Sequence, residues 1–349
     1  MWKLMTGAVA ALILTAGTVD AQTTMRISHQ VPTGHHMHKL LESFKAEVEK
    51  NTAGAVQVQL FPAEQAFKAA ENHPAVARGA IEAAMAVNFQ WGGTIPEMNV
   101  TTIPYLFTDL ERIKKFPGSE AAKLLERKLE TKGVKNVAWL YITRQSIFTS
   151  GKKPIVKVED FKGLKVRGLN AIADAGLTAV GAAPSAMPGS EVYQALESGV
   201  LDAGLTDLSA AVSRKFFEVQ KFGTVTPYFS VYFHMYANPA WWGKLSPDQR
   251  AGIEKAAQKT EIDAIGVTEA TAAAAADLVK ANVNLIFTSG EAAVLAAKKA
   301  TARIPVVFTL VGDPVAAGIV NTLAYPGGNI TGVTSRVPEL APKRLEILK

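Results

Sequence analysis

Arg167 closes the short run Leu164-Lys165-Val166-Arg167-Gly168. Alternation along that run puts Leu164 and Val166 on one face of a strand and Arg167 on the other, at the strand's C-terminal edge. Ligands of open α/β sheets collect outside that edge. A guanidinium there can grip a carboxylate with two parallel N–H bonds, which an ammonium cannot do; an ordinary surface arginine is the alternative. The histidines His35, His36 and His38 offer a second chemistry. With Glu42 at i+7, His35 and His38 could share one helix face as zinc requires, or they could simply form a solvated helix start. Asp202 with Asp207, and Glu191 with Glu197, are possible acid pairs. No nucleophile, base and orienting group accompany them, so an enzyme is not expected. Gly327-Gly328-Asn329-Ile330-Thr331-Gly332 lacks the lysine and the strand–turn–helix context of a phosphate loop and reads as a turn. The chain has no cysteine, which excludes thiolate ligands, cysteine nucleophiles and disulfides. No cofactor or metal is expected.

The elements that must position Arg167 alternate between strand and helix, which predicts an α/β protein. Strands are expected at Met25 to His29, Val56 to Phe61, Ala83 to Asn88, Val137 to Ile142, Leu164 to Arg167 and Leu201 to Thr206. Helices are expected from His35 to Lys50, from Pro74 to Ala80, after the cap Ser119, from Ala171, and after Ser190. Thr224 to Ala237, rich in β-branched and aromatic residues, reads as one strand crossing between two domains. Ser246-Pro247-Asp248-Gln249 combines cap, proline and capping-box glutamine, and no proline follows until well past Lys280. A helix from there to about Lys280 would be roughly 50 Å long and would brace two domains.

From about residue 25 to 278 the chain resembles the solute-binding proteins of tripartite ATP-independent periplasmic (TRAP) transporters, the DctP-like family. The likeness is carried by Glu159-Asp160-Phe161-Lys162-Gly163-Leu164-Lys165-Val166-Arg167, by Met187-Pro188-Gly189-Ser190-Glu191-Val192-Tyr193-Gln194-Ala195-Leu196, and by Gly199-Val200-Leu201-Asp202-Ala203. The resemblance implies a two-lobed periplasmic clamshell with a long domain-spanning helix and a small organic acid between the lobes. Lobe I would comprise 25–143 and 228–280, and lobe II 144–227. Arg167 would take the position of the family's main carboxylate anchor, and Arg144 that of a second arginine. By its own placement Arg144 could equally cap a helix or pair with Asp207. Thr206 falls where many relatives carry a ligand-binding asparagine, and Gly189 where they often carry an aromatic. Asn88, Gln90 and Trp91 follow a first-lobe strand and should face the cleft, or else form a loop packed by Trp91. The partners implied are a small organic acid and the membrane permease subunits, with the binding protein itself a monomer.

Lys3, the apolar run Ala8 to Ala16 and the small residues of Val19-Asp20-Ala21 lay out a secretory signal over residues 1–21, hence a periplasmic location. With 48% hydrophobic and 19% charged residues over 349 positions, the chain is globular and long enough for two cores. Its net charge of +6 is scattered, with no basic stripe interleaved with aromatics, so nucleic-acid binding is not expected. Residues 281–349 are similar to part of a different family, the substrate-binding proteins of ABC-type importers. Ile304-Pro305-Val306-Val307-Phe308 and Pro326-Gly327-Gly328-Asn329 carry that likeness. On this reading the C-terminus is an incomplete α/β segment joined near residue 280. The alternative functions are then a non-transporting hybrid or an ABC-type binding protein.

Overall fold

The computed structural model describes residues 22–273, 286–289, 291–311, 313–322 and 326–334. In chain order, β1 (Thr23–His29), α1 (His36–Asn51), β2 (Val56–Phe61), α2 (Asn72–Ala77) and β3 (Ala83–Val87) lead to two short helices, α3 (Leu110–Lys115) and α4 (Glu120–Glu130). The strands β4 (Lys135–Thr143), β5 (Ser146–Ser150) and β6 (Lys165–Gly168) follow, then α5 (Ala171–Ala179), β7 (Ala183–Ala186), α6 (Val192–Glu197), β8 (Ala203–Asp207) and α7 (Leu208–Ser213). After β9 (Phe222–Thr226) and β10 (Val231–Ala237) come α8 (Pro239–Lys244) and α9 (Pro247–Ala273). The described part of the C-terminal segment holds β11 (Ile286–Ser289), α10 (Glu291–Ala300), β12 (Val306–Val311) and β13 (Ile330–Thr334).

These strands build two sheets, one per lobe. Lobe I holds β2-β1-β3-β10-β4; lobe II holds β13-β12-β11-β9-β5-β8-β6-β7. The fold is thus the expected two-lobed α/β arrangement. Thr224 to Ala237 is not one strand. It breaks at Pro227, which has no N–H for a ladder, and its halves join different sheets, β9 in lobe II and β10 in lobe I. β5 was not anticipated; it runs antiparallel between β8 and β9, buried throughout. β4 and β5 are separated only by Arg144 and Gln145, so the chain crosses the lobe boundary there as well.

The expected cap of α9 forms in full: Gln249 N–H donates to Ser246 Oγ at 3.2 Å, and Ser246 N–H to Gln249 Oε1 at 2.9 Å. The helix has 27 described residues, about 40 Å at 1.5 Å per residue. It packs on α1 and β4 in lobe I and also touches α7 and α10 in lobe II. Residues 1–21, and the stretch expected as helix from 274 to 280, lie outside the described residues. Among those described, no helix is long and apolar enough to cross a membrane.

The C-terminal strands do not make a sheet of their own. β11 lies parallel to β9 (Ile286 opposite Gly223), β12 parallel to β11, and β13 parallel to β12. They extend lobe II, and in doing so cover the β9 edge, whose unpaired N–H and C=O groups would otherwise template association. Ile286, Val294, Val306, Phe308 and Ile330 form a small core beneath them. The glycine-rich run forms the expected turn into β13, with positive φ at Gly327 and Gly328, while Asn329 Nδ2 donates to the carbonyls of Thr301 and Ile304.

Candidate functional site

β6 carries Arg167 into lobe II's interior. Val166 packs in the core, and Arg167, only 4% exposed, lines a cavity between the lobes. Its guanidinium is fixed by backbone carbonyls: Nε and Nη2 donate to Met187 O at 3.3 and 3.1 Å, and Nη1 to Leu205 O at 2.8 Å. Of its five N–H donors, one on Nη1 and one on Nη2 stay unengaged. Among the described residues no ion pair holds this charge. Burial pushes its pKa down to about 9, Arg214 adds to the push, and Asp207 and Asp174 oppose it through longer-range attraction. At neutral pH it is still a cation, desolvated and without a direct ionic partner among the described residues. Such a charge is costly.

Both lobes build the cavity. Lobe II contributes Arg167, Leu169, Gly189, Thr206, Asp207 and Arg214. Lobe I contributes the polar Gln30 and His35 and an apolar wall, in which Val87, Phe89, Ile142 and Phe233 take part. Its volume is about 30 Å³, room for a water or two. A larger guest must therefore part the lobes or shift side chains. Gln30 and Arg214 also line an outer cleft of about 550 Å³ and form the partition between the two spaces. A roomier groove of about 930 Å³, where α1 ends and α9 begins, lies wholly on lobe I and holds no arginine.

Hydrogen bonds reach from lobe to lobe on the sides of the cleft. Asn170 Nδ2 donates to Thr102 Oγ1 at 2.9 Å and Ser190 Oγ to Glu64 Oε1 at 3.0 Å. His35 Nε2 lies 3.3 Å from Ser209 Oγ, which in turn donates to Asp207 Oδ1. Because His35 Nδ1 accepts the N–H of Met37, the ring proton sits on Nε2 and points at Ser209. Burial holds the His35 pKa down to about 3 despite Asp207, so the ring is neutral. Burial raises the Asp207 carboxyl, but the hydrogen bonds from the Ser209 hydroxyl and the Ala210 amide outweigh it and keep Asp207 ionised.

The sequence-predicted residues divide. Arg167 and Thr206 come together at the cavity. Gln90 reaches it indirectly, donating to Gln30 Oε1 at 2.7 Å. Arg144 sits elsewhere: its Nε and Nη2 clamp Glu269 of α9 at 3.1 and 2.8 Å, and Tyr141 Oη donates to the same carboxylate. It does not pair with Asp207. Asn88 is consumed by structure, donating to Met98 O and Thr101 Oγ1 and accepting from Tyr232 N. Trp91 packs against His73, His234 and Tyr236 in lobe I's outer core. The histidines are not a solvated helix start: all three are buried, at 1%, 9% and 7% exposure. Nor do they converge. His35 caps α1, His36 meets Thr268 of α9, and His38 meets His29 and Glu42. No set of three metal ligands exists among the described residues. Asp202 lies away from Asp207, holding Lys152 and the Lys165 amide.

Sequence reasoning missed Gln30, Phe89 and, above all, Arg214. A Cβ built on Gly189 would overlap the Arg214 guanidinium, so the glycine makes the room that the arginine fills. The 25-residue separation of this pair in sequence hides it. A glycine in Met187-Pro188-Gly189 was its only available sign.

A fold of two α/β lobes, joined by crossing strands around a cation-lined cavity, defines a periplasmic-type binding protein. The family model for "bacterial extracellular solute-binding protein, family 7" matches residues 27–303, and the chain belongs to that family. The match runs through β11 and α10, past the boundary of 278 expected from sequence. The C4-dicarboxylate-binding periplasmic protein DctP of Rhodobacter capsulatus is 32% identical over 266 residues, covering 75% of this chain and 79% of that one. A TRAP periplasmic solute-binding protein of Sulfurospirillum deleyianum, solved with bound succinate, is 28% identical with a TM-score of 0.71, covering 77% of this chain and 88% of that one. A Polaromonas counterpart bound to D-erythronate is 26% identical with a TM-score of 0.72, covering 76% and 88%.

Proposed function

We propose that this protein captures a small organic acid between its lobes, holds the carboxylate on Arg167, and delivers it to the membrane subunits of a TRAP-type transporter. Export through a signal peptide at residues 1–21 would place it in the periplasm. One observation carries the reading: a buried guanidinium, with no direct ion pair among the described residues, keeps an N–H free on each terminal nitrogen beside an interlobe cavity. An anionic guest supplies the missing charge and two short charge-assisted bonds. Thr206 stands beside it and can donate one hydrogen bond through its hydroxyl. Contacts from both lobes make the guest favour the closed state, and its release reopens them.

A thermal-shift screen of the mature chain against C4-dicarboxylates, sugar acids, keto acids and aromatic acids tests this. At least one acid should raise the melting temperature in a dose-dependent way. A melt blind to every acid at millimolar concentration would argue for the non-transporting hybrid instead. The likeness of residues 281–349 to part of an ABC-type binding protein supports a second reading of that stretch only. Because β11–β13 share lobe II's sheet, we assign them an edge-covering role and not a pocket of their own.

A further inference from the structure

We propose that the guest is a monocarboxylate with an apolar body, its carboxylate on Arg167 in lobe II and its hydrocarbon against lobe I; this rests on the cavity being the acid site. The first argument is the lining. Apart from Gln30 and His35, the lining across from lobe II is apolar and includes Val87, Phe89, Ile142, Phe229, Val231 and Phe233. Most of these belong to lobe I's sheet, whose strand ends present hydrocarbon to the cleft.

The second argument is a count of charges. The ionisable groups lining the cavity are Arg167, Arg214, Asp207 and His35. His35 is neutral and Asp207 ionised, so the lining carries one net positive charge. Arg214 is drawn to both Asp207 and Glu64, and Glu64 stands in the adjoining cleft. One carboxylate brings the chamber to neutrality. A dianion leaves a second negative charge desolvated among phenylalanines and valines, which is strongly unfavourable.

The third argument is a count of free polar partners. Polyhydroxy acids need several. Both ring nitrogens of His35 are engaged, by Met37 N–H and Ser209, and Asp207 Oδ1 already accepts from Ser209 and Ala210. Gln30 Oε1 is taken by Gln90. The Thr206 hydroxyl and the Gln30 amide N–H groups remain, together with Asp207 Oδ2 and the Arg214 guanidinium, which belong to lobe II and not to the apolar wall. Sugar hydroxyls placed against the apolar wall would lose their hydrogen bonds to water without replacement.

Calorimetric titration of the full mature chain with phenylacetate, 4-methylpentanoate, succinate and D-galactonate distinguishes these classes. Phenylacetate or 4-methylpentanoate should bind at least tenfold more tightly than either polar acid and should lose at least a hundredfold in Arg167→Ala. If succinate or galactonate binds tightest, and depends on Arg167, the apolar assignment fails while the carboxylate reading stands. If no acid binds, or binding ignores Arg167, the carboxylate reading fails and takes the assignment with it. Asp207→Asn, which keeps the cap acceptor for Ala210, should move the succinate-to-phenylacetate affinity ratio at least tenfold toward succinate. An unmoved ratio overturns the charge count. Should that variant not fold, Val87→Thr adds a hydroxyl at nearly constant shape. It should weaken the apolar acid at least threefold, and unchanged affinity would overturn the assignment.

Discussion

At the scale of the residue, the arginines that sequence alone makes comparable turn out to differ by their partners. Arg167 donates only to neutral carbonyls and keeps an open pair of N–H groups, whereas Arg144 is clamped by a carboxylate. Burial tends to lower the Arg144 pKa, but the Glu269 hydrogen bond outweighs it and raises the net value. Arg144→Ala should therefore act on stability. Losing a bidentate, half-buried pair costs about 1–3 kcal/mol, read as a lower denaturation midpoint, with acid affinity within twofold of wild type. A large loss of affinity at unchanged stability would return Arg144 to the site. Gly189→Ala tests the other pairing. The added methyl must displace the Arg214 guanidinium, so affinity should change severalfold while stability falls by less than about 1.5 kcal/mol, since the displaced atoms end a flexible side chain. Identical affinity would show that Arg214 has no bearing on the guest. Arg167 was legible because alternation along a short strand fixes which way it points. Arg214 was not, since its position depends on an empty space created by a distant residue.

At the scale of the element, propensity and capping located most of the pieces. Val56–Phe61, the Ser119 cap and the Ser246 capping box stand where their residues put them. The failures fall where the chain changes lobes. β5 is a buried Ser-Ile-Phe-Thr-Ser without polar alternation, and β9 and β10 look continuous until Pro227 is given its weight. Sheet membership is a non-local property that no window reveals. The same holds for β11–β13, whose parallel pattern fits a separate sheet as well as an extension. Truncation after Lys280 would strip β9 of its neighbour and remove a small core. The shortened chain should melt lower and form oligomers through the bared edge, seen by size-exclusion chromatography. A monodisperse, equally stable product would mean that the added strands contribute nothing to lobe II.

At the scale of the whole molecule, His29, His35, His36 and His234 are buried in lobe I, and one of them, His35, reaches Ser209 and through it Asp207 across the cleft. Burial holds the pKa values of His29, His35 and His234 down to about 3 and lowers that of His36. In the unfolded chain these rings take up protons near pH 6.5, whereas in the folded protein they do not. Stability therefore falls as the pH drops below 6.5 and continues to fall toward 3, with His29, His35 and His234 each contributing about 1.4 kcal/mol per pH unit once well inside that window. Glu261 opposes them. Burial raises its pKa to about 7, so it favours the folded state below 4.5 and loses that contribution as the pH rises through 7. The histidines outnumber it, and the urea midpoint should decline steadily between pH 6.5 and 4.5; a flat profile would show that the rings titrate freely. On the proposed function, closure over an acid depends on the Arg167 guanidinium more than on any other group. Calorimetry of wild type, Arg167→Ala and Arg167→Lys with the acid found by thermal screening tests it directly. The alanine variant should lose binding by roughly a hundredfold or more, consistent with two charge-assisted hydrogen bonds, and lysine should keep only a weak remnant. Full affinity in either variant, with the fold intact, would contradict the account.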